Sequence, residues 1–380
     1  MESIGLQSGA TASPCALEPA GRRSPAFATF RLWRLQIAGM VFVLLASPSL
    51  NAQEIKPPPV AAKVVKFGKP ASTIGQAVEE ITKQSGIAFA IPKAVELVPC
   101  NILSEGSFWN VVEQLSSQAA CRIRVHNGKV QFISLAKEAF ASPSFVDGPF
   151  RTVVSQVVSK REFDTGAVVT EVQLDVMWEP RFPVYLIDAE AKIGEAKGER
   201  GVYKADSPSG RVAASGYSHS IVVRLKGIPR EEKKLDVLSG SLNVIAAEKM
   251  LAVEFKDLTS DKPIVQMIEG VKVTLKPIKS ANGQLEAAFD LEYPSSHPEF
   301  ESFQVWAASN KLRLFDGAGM ALGDPLDYNT TENGRKISVS YFYAAPKGPL
   351  NLKGWRAIYE TPCPMVEQKV RFELKDILLP

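Results

Sequence analysis

The feature that most constrains the fold is a series of short β-rich segments that begins near residue 150 and continues to residue 380. Helical periodicity fades in this region, and turn residues separate one segment from the next. Regularly spaced short strands without intervening helices are typical of antiparallel sandwiches or barrels. We therefore expect an all-β architecture beyond residue 150.

A weak internal repeat divides the β-rich region into two copies. Two pairs of segments match: Val253–Leu258 with Phe372–Ile377, and Glu171–Trp178 with Glu286–Tyr293. Copies of about 110 residues fit the usual size of a single domain. The repeat predicts two tandem β-sandwich domains, at residues 150–261 and 262–380. The alternative is one large sandwich built from both halves.

Residues 63–136 follow a different pattern, in which helical and strand periodicities alternate. Ile74, Ala77, Val78 and Ile81 share one helical face, and a glycine follows as a stop signal. A second strand–helix unit ends in a hairpin at an Asn-Gly turn. We expect a small βαβ–βαβ domain here, so the predicted fold class is α+β, with this domain preceding the two tandem antiparallel sandwiches.

The same segment resembles the short N-terminal domain shared by secretins and TonB-dependent transducers. The resemblance rests on the order of its elements and on two runs: Ile74–Ile81 leading to Gly86-Ile87, and Phe108–Leu115 leading to Cys121-Arg122-Ile123. It implies a periplasmic protein–protein contact module that has no catalytic residues. It also implies a link to secretion or envelope signalling, although no secretin core follows in this sequence.

Residues 1–52 have the layout of a secretory signal. Arg22 to Arg34 form a basic region, Ile37 to Ala46 form an apolar run, and Leu50-Asn51-Ala52 offers small residues for cleavage. The alternative is an uncleaved anchor, but the run is shorter than the roughly 20 apolar residues that cross a bilayer. We expect cleavage, a periplasmic or extracellular location in the cell envelope, and no stable membrane span afterwards.

Two proline-containing segments are interpreted as connections. Pro57-Pro58-Pro59 predicts a stiff tether at residues 53–62. Ser142-Pro143-Ser144 and Asp147-Gly148-Pro149 predict a linker at residues 137–149.

The net charge bears on the class of partner. The whole chain carries a formal charge of +3, of which residues 1–52 contribute +2 and the remainder +1. A nucleic-acid-binding protein needs a concentrated basic field. We therefore expect no nucleic-acid partner.

Three cysteines lie outside the predicted signal. Cys100 and Cys121 flank one predicted helix within the small domain, and a close pair in an exported protein is a candidate disulfide. Cys363 lies between two prolines and is expected to be a buried or unpaired thiol. No spacing typical of a zinc site is present.

Motifs that suggest catalysis have simpler explanations. His126, His219 and His297 lie in three separate segments, whereas a metal site needs converging ligands. The triplet Asp164-Thr165-Gly166 matches an aspartic protease but also fits a hairpin turn. Ser218-His219 lacks the glycines and the α/β context of a nucleophile elbow. We expect no enzyme activity, no cofactor and no resident metal.

Two sets of residues remain as candidate binding sites. Asp316, Asp324 and Asp327 form a weak calcium candidate in a glycine-containing loop, with a plain turn as the alternative. Trp109, Trp306 and Trp355 are candidate contacts for a partner or a glycan, with core packing as the alternative.

These features together predict a non-enzymatic, exported envelope protein that acts as a protein–protein interaction or structural module and has an unidentified envelope protein as partner. A glycan-binding β-sandwich protein is one alternative, and a hydrolase of unknown type is another.

Overall fold

The computed structural model describes residues 60–102, 104–136, 141–206, 210–293, 299–333, 336–346 and 348–380. The predicted signal at residues 1–52, most of the predicted tether and His297 lie outside these ranges. No helix within the described ranges combines the length and apolar character needed to span a membrane.

The described residues are mostly β-structure arranged in several sheets, as the sequence predicted. The elements of the N-terminal region are β1 (Val64–Lys66), α1 (Ile74–Ser85), β2 (Ala88–Ala90), α2 (Lys93–Glu96), β3 (Glu105–Ser107), α3 (Phe108–Gln118), β4 (Cys121–His126) and β5 (Lys129–Ser134). They are followed by β6 (Ser144–Asp147), β7 (Phe150–Arg161), β8 (Val168–Trp178), β9 (Val184–Asp188), β10 (Lys192–Gly198), β11 (Lys204–Ala205), β12 (Arg211–Ala213), β13 (Ser218–Lys226) and β14 (Lys234–Lys256). The last group is β15 (Ile264–Ile268), β16 (Val271–Leu275), β17 (Lys279–Ala281), β18 (Gln284–Glu292), α4 (Glu299–Ser309), β19 (Lys311–Phe315), β20 (Asp327–Asn333), β21 (Lys336–Ala344) and β22 (Arg356–Leu378).

The N-terminal region contains two long helices, α1 and α3, the short helix α2, and two small sheets. Helix α1 begins at Thr73, whose side chain accepts a hydrogen bond from the Gln76 amide, and ends at Gly86 in the left-handed conformation. Strands β1 and β3 form one antiparallel pair, and the other sheet has the order β2-β5-β4. Helices α1 and α3 each contact strands of both sheets, so their apolar faces close one N-terminal core.

The β-rich region contains three larger sheets. The first outer sheet has the order β11-β13-β8-β7-β6, and the second outer sheet has the order β15-β16-β18-β21-β20, with β17 paired to β18. A third sheet, called here the shared sheet, has the order β12-β9-β14-β22-β19, with β10 paired to β14. The order β13-β8-β7 in one outer sheet corresponds to β21-β18-β16 in the other, as the internal repeat leads one to expect.

Strands β14 and β22 dominate the shared sheet. Each is 23 residues long, and they pair antiparallel from Lys234 opposite Leu378 to Lys256 opposite Arg356. Pairing of this length joins the two halves of the β-rich region along one continuous ladder.

Two apolar cores lie along this ladder. The first core joins the first outer sheet to part of the shared sheet, and the second core joins the second outer sheet to the rest of it. Strand β14 places Leu238 in the first core and Phe255 in the second, whereas β22 places Tyr359 in the second and Leu374 in the first. Strand β14 therefore begins in the first core and ends in the second, whereas β22 begins in the second core and ends in the first.

This exchange differs from the division expected at residue 261. That division follows the order of strands along the chain, but Val366 to Ile377 complete the core formed by residues 150–246. The physical reason is that each long strand carries apolar residues beyond the point where its own half ends.

The ends of β14 and β22 explain the sequence repeat. Asp257 and Asp376 both adopt positive φ angles, 56° and 53°. The residue that follows each aspartate, Leu258 or Ile377, is buried. Aspartate tolerates the left-handed region better than most residues, so the repeated Lys-Asp pair marks the same backbone conformation in both halves, just after β14 and two residues before the end of β22.

Two Asn-Gly pairs form turns, and the first of them is the turn predicted for the N-terminal region. Asn127-Gly128 and Asn282-Gly283 have positive φ at both positions and each joins a two-residue hairpin. By contrast, part of the predicted linker at residues 137–149 is ordered structure, because Ser144–Asp147 forms β6 and pairs with β7. Residues 137–140 lie outside the described ranges.

The strand exchange predicts that one substitution in β22 weakens the first half. Leu374→Ala removes a fully buried side chain from the first core and should lower the free energy of unfolding by about 2–5 kcal/mol. Amide hydrogen exchange should increase in β8 and β13, although they lie about 150–200 residues earlier in the sequence.

The matched control is Lys375→Ala, which truncates the neighbouring exposed side chain and should change stability by less than about 1 kcal/mol. Loss of protection confined to the second outer sheet would contradict the exchange.

Candidate functional site

The tryptophans proposed as ligand contacts are buried. Trp109 and Trp306 have 0% exposure, and Trp355 has 6%. An aromatic ring must be exposed to stack on a sugar or to insert into a partner, so the expectation of direct contacts at these three residues is wrong. The alternative, core packing, describes all three.

Trp109 joins the N-terminal region to the β-rich region. Its Nε1–H donates a buried hydrogen bond of 2.9 Å to the carbonyl oxygen of Pro149, just before β7. Val153 and Met177, from the first outer sheet, belong to the same apolar cluster as Trp109. The N-terminal core is therefore completed by residues of the β-rich region.

An ion pair lies beside this contact. Arg151 Nε is 2.7 Å from Glu113 Oε1, and the same carboxylate accepts a hydrogen bond from Ser144. Burial lowers the pKa of the Arg151 guanidinium, and the Glu113 carboxylate opposes that shift. Because a buried charge is costly without its partner, Glu113 makes the position of α3 on the β6–β7 hairpin specific.

A second polar contact holds the segment that precedes β1. Glu179 is fully buried and accepts hydrogen bonds from the Lys63 amide at 3.0 Å and from Arg181 Nε at 2.5 Å. Burial raises the pKa of Glu179, while the bonds from Arg181 and Lys63 oppose the rise. The Val60 amide donates to Gln368 in β22 at 3.1 Å. The last residues of the predicted tether are thus fixed to the β-rich region.

The predicted disulfide is absent. Cys100 and Cys121 are free thiols, and Cys363, which is buried, forms no disulfide either. The Cys100 thiol contacts the carbonyl oxygen of Ala71, whereas the Cys121 thiol contacts that of Ala119. Although Cys100 and Cys121 flank the same helix, their sulfur atoms do not meet, because the two thiols face different loops.

The three aspartates of the calcium candidate are not brought together either. Asp316 Oδ1 accepts the Ala318 and Met320 amides at 2.9 and 2.8 Å, which closes a tight turn. In the described ranges, no group of three or more His, Cys, Asp or Glu side chains is placed to hold a metal ion. The prediction for Asp316, Asp324 and Asp327 is therefore wrong, and the alternative of a plain turn describes Asp316.

The catalytic motifs occupy ordinary positions. Asp164-Thr165-Gly166 forms the turn between β7 and β8, with Gly166 donating its amide to Glu162. Ser218 and His219 are successive residues of β13, so their side chains point to opposite faces of the sheet. Burial lowers the pKa of His219.

The most distinctive surface of the N-terminal region is the outer face of β4 and β5. Strand β4 alternates buried and exposed residues, which places Arg122, Arg124 and His126 on one exposed face. Lys129 lies opposite His126 on β5. We call these four residues the basic face. Among the described residues, none provides an ion-pair partner for Arg122, Arg124 or Lys129.

This surface also has a free strand edge. Strand β4 lies at the edge of the order β2-β5-β4, and no described strand pairs with its outer side. Edge strands present unpaired N–H and C=O groups that can pair with another extended segment. The alternation Cys-Arg-Ile-Arg-Val-His was sufficient to predict this basic face, but the sequence alone did not show which strand forms the edge.

Comparisons with known proteins yield little similarity. No family model matches the chain, and no curated protein matches it. A solved structure described as the crystal structure of the conserved domain protein from Bacillus anthracis aligns with 61% of this chain and 89% of its own, at 10% sequence identity and a TM-score of 0.18. A match at this TM-score supports no conclusion about fold or function.

The buried ion pair leads to a prediction about stability. Glu113→Gln leaves the Arg151 guanidinium buried without its counter-charge and should lower the free energy of unfolding by about 3–5 kcal/mol. Chemical denaturation measures the change. The control is Glu79→Gln, an exposed carboxylate on α1, which should change stability by less than about 0.5 kcal/mol. Equal effects from the two substitutions would contradict the proposed role of Glu113.

The free thiols lead to a second prediction. Burial raises the pKa of both the Cys100 and the Cys121 thiols, which lowers their reactivity. Cys100 is partly exposed and Cys121 is buried, so a maleimide should modify Cys100 first in the folded protein, and Cys121 and Cys363 as well after unfolding. Mass spectrometry of unreduced peptides measures both states. A linked Cys100–Cys121 peptide would overturn the assignment.

Proposed function

We propose that this chain is an exported envelope protein that docks a partner protein through the basic face and the free edge of β4. The basic face carries the proposal. Two arginines and a lysine stand on it without ion-pair partners among the described residues, next to backbone groups that are open to strand addition.

The charge of the surface indicates the chemistry of the partner. Arg122 and Arg124 lie two residues apart on one strand face, so their guanidinium groups favour carboxylates spaced at the same interval along a second strand. Backbone pairing would supply affinity, and alternating acidic side chains would supply register. The favoured partner is therefore an extended segment of a protein with Asp or Glu at every second position.

The resemblance to the N-terminal domain of secretins and TonB-dependent transducers supports the same interpretation. It implies a contact module in the periplasm. Export is also supported by the signal layout of residues 1–52, so we propose that the mature protein acts in the periplasm or at the cell surface.

The β-rich region would serve as the support. We propose that each outer sheet packs on the shared sheet as one layer of a β-sandwich, because each apolar core contains residues from both sheets. The contacts of Trp109, Glu113 and Glu179 fix the N-terminal region to this support. A docking surface held in this way is preorganised, which reduces the entropic cost of binding.

The proposal predicts a charge-dependent interaction. Fluorescence polarisation with extended ten-residue peptides should show binding to a peptide with alternating Glu and no binding to its Gln counterpart. Arg122→Glu combined with Arg124→Glu should weaken binding by about tenfold or more, since each arginine–carboxylate contact contributes about 1.5–3 kcal/mol.

The matched control reverses two other exposed charges of the same region, Lys83→Glu and Lys93→Glu, and should leave affinity within about twofold. Hydrogen exchange should show new protection of β4 amides when the acidic peptide is bound. Equal loss in both double variants, or stronger binding of a single-stranded oligonucleotide than of the peptide, would overturn the proposal.

A further inference from the structure

The second outer sheet ends in an edge strand whose outer side is free. Strand β15 lies at one end of the order β15-β16-β18-β21-β20, and among the described strands it pairs with β16 alone. Two of its exposed side chains are apolar, because Val265 has 50% exposure and Met267 has 64%. An exposed apolar edge strand is a surface to which another extended segment can add.

Strand β15 also lacks the charges that commonly protect such an edge. Its sequence, Ile-Val-Gln-Met-Ile, contains no charged residue. The other strands at the ends of the three larger sheet orders, which are β6, β11, β12, β19 and β20, each contain at least one. Charged side chains on an edge discourage pairing between edges. Among these end strands, β15 is therefore the one that is open to an uncharged partner strand.

The turn between β15 and β16 determines which backbone groups of β15 face outward. Glu269-Gly270 has positive φ at both positions, 48° and 83°, and joins a two-residue hairpin in which Ile268 lies opposite Val271. The pair that flanks such a turn exchanges backbone hydrogen bonds, and pairs of this kind alternate along an antiparallel ladder. Ile268 and every second residue before it therefore bond to β16. Val265 and Met267 direct their N–H and C=O groups to the free side.

The strand is complementary to a second copy of itself. Antiparallel pairing centred on Gln266 places Val265 opposite Met267 of the second copy, and Ile264 opposite Ile268 of the second copy. Val265 and Met267 are the residues with outward backbone groups, so each of the two Val–Met pairs can exchange two hydrogen bonds. This register therefore satisfies the outward backbone groups of both residues in both copies.

The two neighbouring symmetric registers are less favourable. Pairing centred on Val265 places Pro263, which has no N–H to donate, opposite Met267 of the second copy. Pairing centred on Met267 places Glu269, a turn residue with positive φ, opposite Val265 of the second copy. Pairing centred on Gln266 requires neither position, so it is the register that the strand favours.

The side chains of two copies also match in this register. Ile264 and Ile268 pack against the second core, so alternation along the strand places Val265 and Met267 on the outer face. Residues directly opposite each other in an antiparallel pair share one face of the sheet. Pairing thus brings isoleucine to isoleucine beside the core and valine to methionine on the outer face. Apolar surface of both copies is removed from water, which stabilises the pair.

We propose that β15 is a self-association surface, through which two copies of this chain pair antiparallel in the register centred on Gln266. Both copies use the same edge, so the contact is closed and assembly stops at two. A strand of five residues buries less than the roughly 1,200 Å² of a stable interface, so the dissociation constant should be micromolar or higher. The surface is independent of the basic face, because the two involve different strands and different residues.

Sedimentation velocity of the purified full chain at increasing concentration should show a reversible equilibrium between monomer and dimer. Gln266→Lys places two lysines directly opposite each other at the two-fold axis, so it should weaken the dimer by about tenfold or more. The matched control is Thr331→Lys, which adds the same charge to an exposed position of β20, the strand at the other end of this sheet. It should leave the dissociation constant within about twofold.

A second measurement tests the register without weakening the dimer. Residues at the axis form a pair without hydrogen bonds, with Cα atoms about 4.5 Å apart, and this distance permits a disulfide. In a Cys100→Ser background, Gln266→Cys should form a covalent dimer on mild oxidation, with residue 266 of one copy linked to residue 266 of the other. Thr331→Cys should not. A chain that stays monomeric at millimolar concentration, equal weakening by both lysine variants, assemblies larger than a dimer, or equal cross-linking of both cysteine variants would refute the proposal.

Discussion

The antiparallel pairing of β14 with β22 is the constraint on which the rest of the β-rich region depends. The two strands stay in register along their whole length, from Lys234 opposite Leu378 to Lys256 opposite Arg356. Because each strand carries apolar residues into the core of the other half, neither core is complete without both strands. The two copies of the sequence repeat are therefore joined by reciprocal exchange of their last strands, and they are not linked simply end to end.

The N-terminal region is attached by a different kind of contact. Here a few buried polar groups, each with a defined partner, determine the position of the N-terminal region on the β-rich region. Trp109 donates to the Pro149 carbonyl, Glu113 pairs with Arg151, and Glu179 holds the Lys63 amide. Apolar side chains around these contacts bury additional surface, while the hydrogen bonds select one orientation of the N-terminal region. The exposed face of β4 and β5 consequently has a fixed position on the β-rich support.

The parts of the fold that could be predicted from sequence are those encoded by neighbouring residues. Turn chemistry indicates hairpins at Asn127-Gly128 and Asn282-Gly283, helical spacing predicted α1, and the segments that end in a Lys-Asp pair predicted the internal repeat. The exchange of β14 and β22 was not predictable, because it pairs residues that lie 100 to 144 positions apart in the sequence. The same limit applies to the candidate sites. The sequence left two interpretations open for Trp109, Trp306 and Trp355, ligand contact and core packing, and only the structure decides between them. It gives no sign that Cys100 and Cys121 face different loops.

The exchanged strands impose a sequence of events on the growing chain. Residues 150–246 leave the ribosome well before Val366 to Ile377, yet these late residues fill the space between their sheets. Until they arrive, the earlier segment has an open apolar interior and an unpaired long strand, which are features that keep a polypeptide from settling into a final state. The first core therefore closes only after the last strand of the chain has been synthesised, so the early and late parts of the β-rich region acquire their final packing in one step.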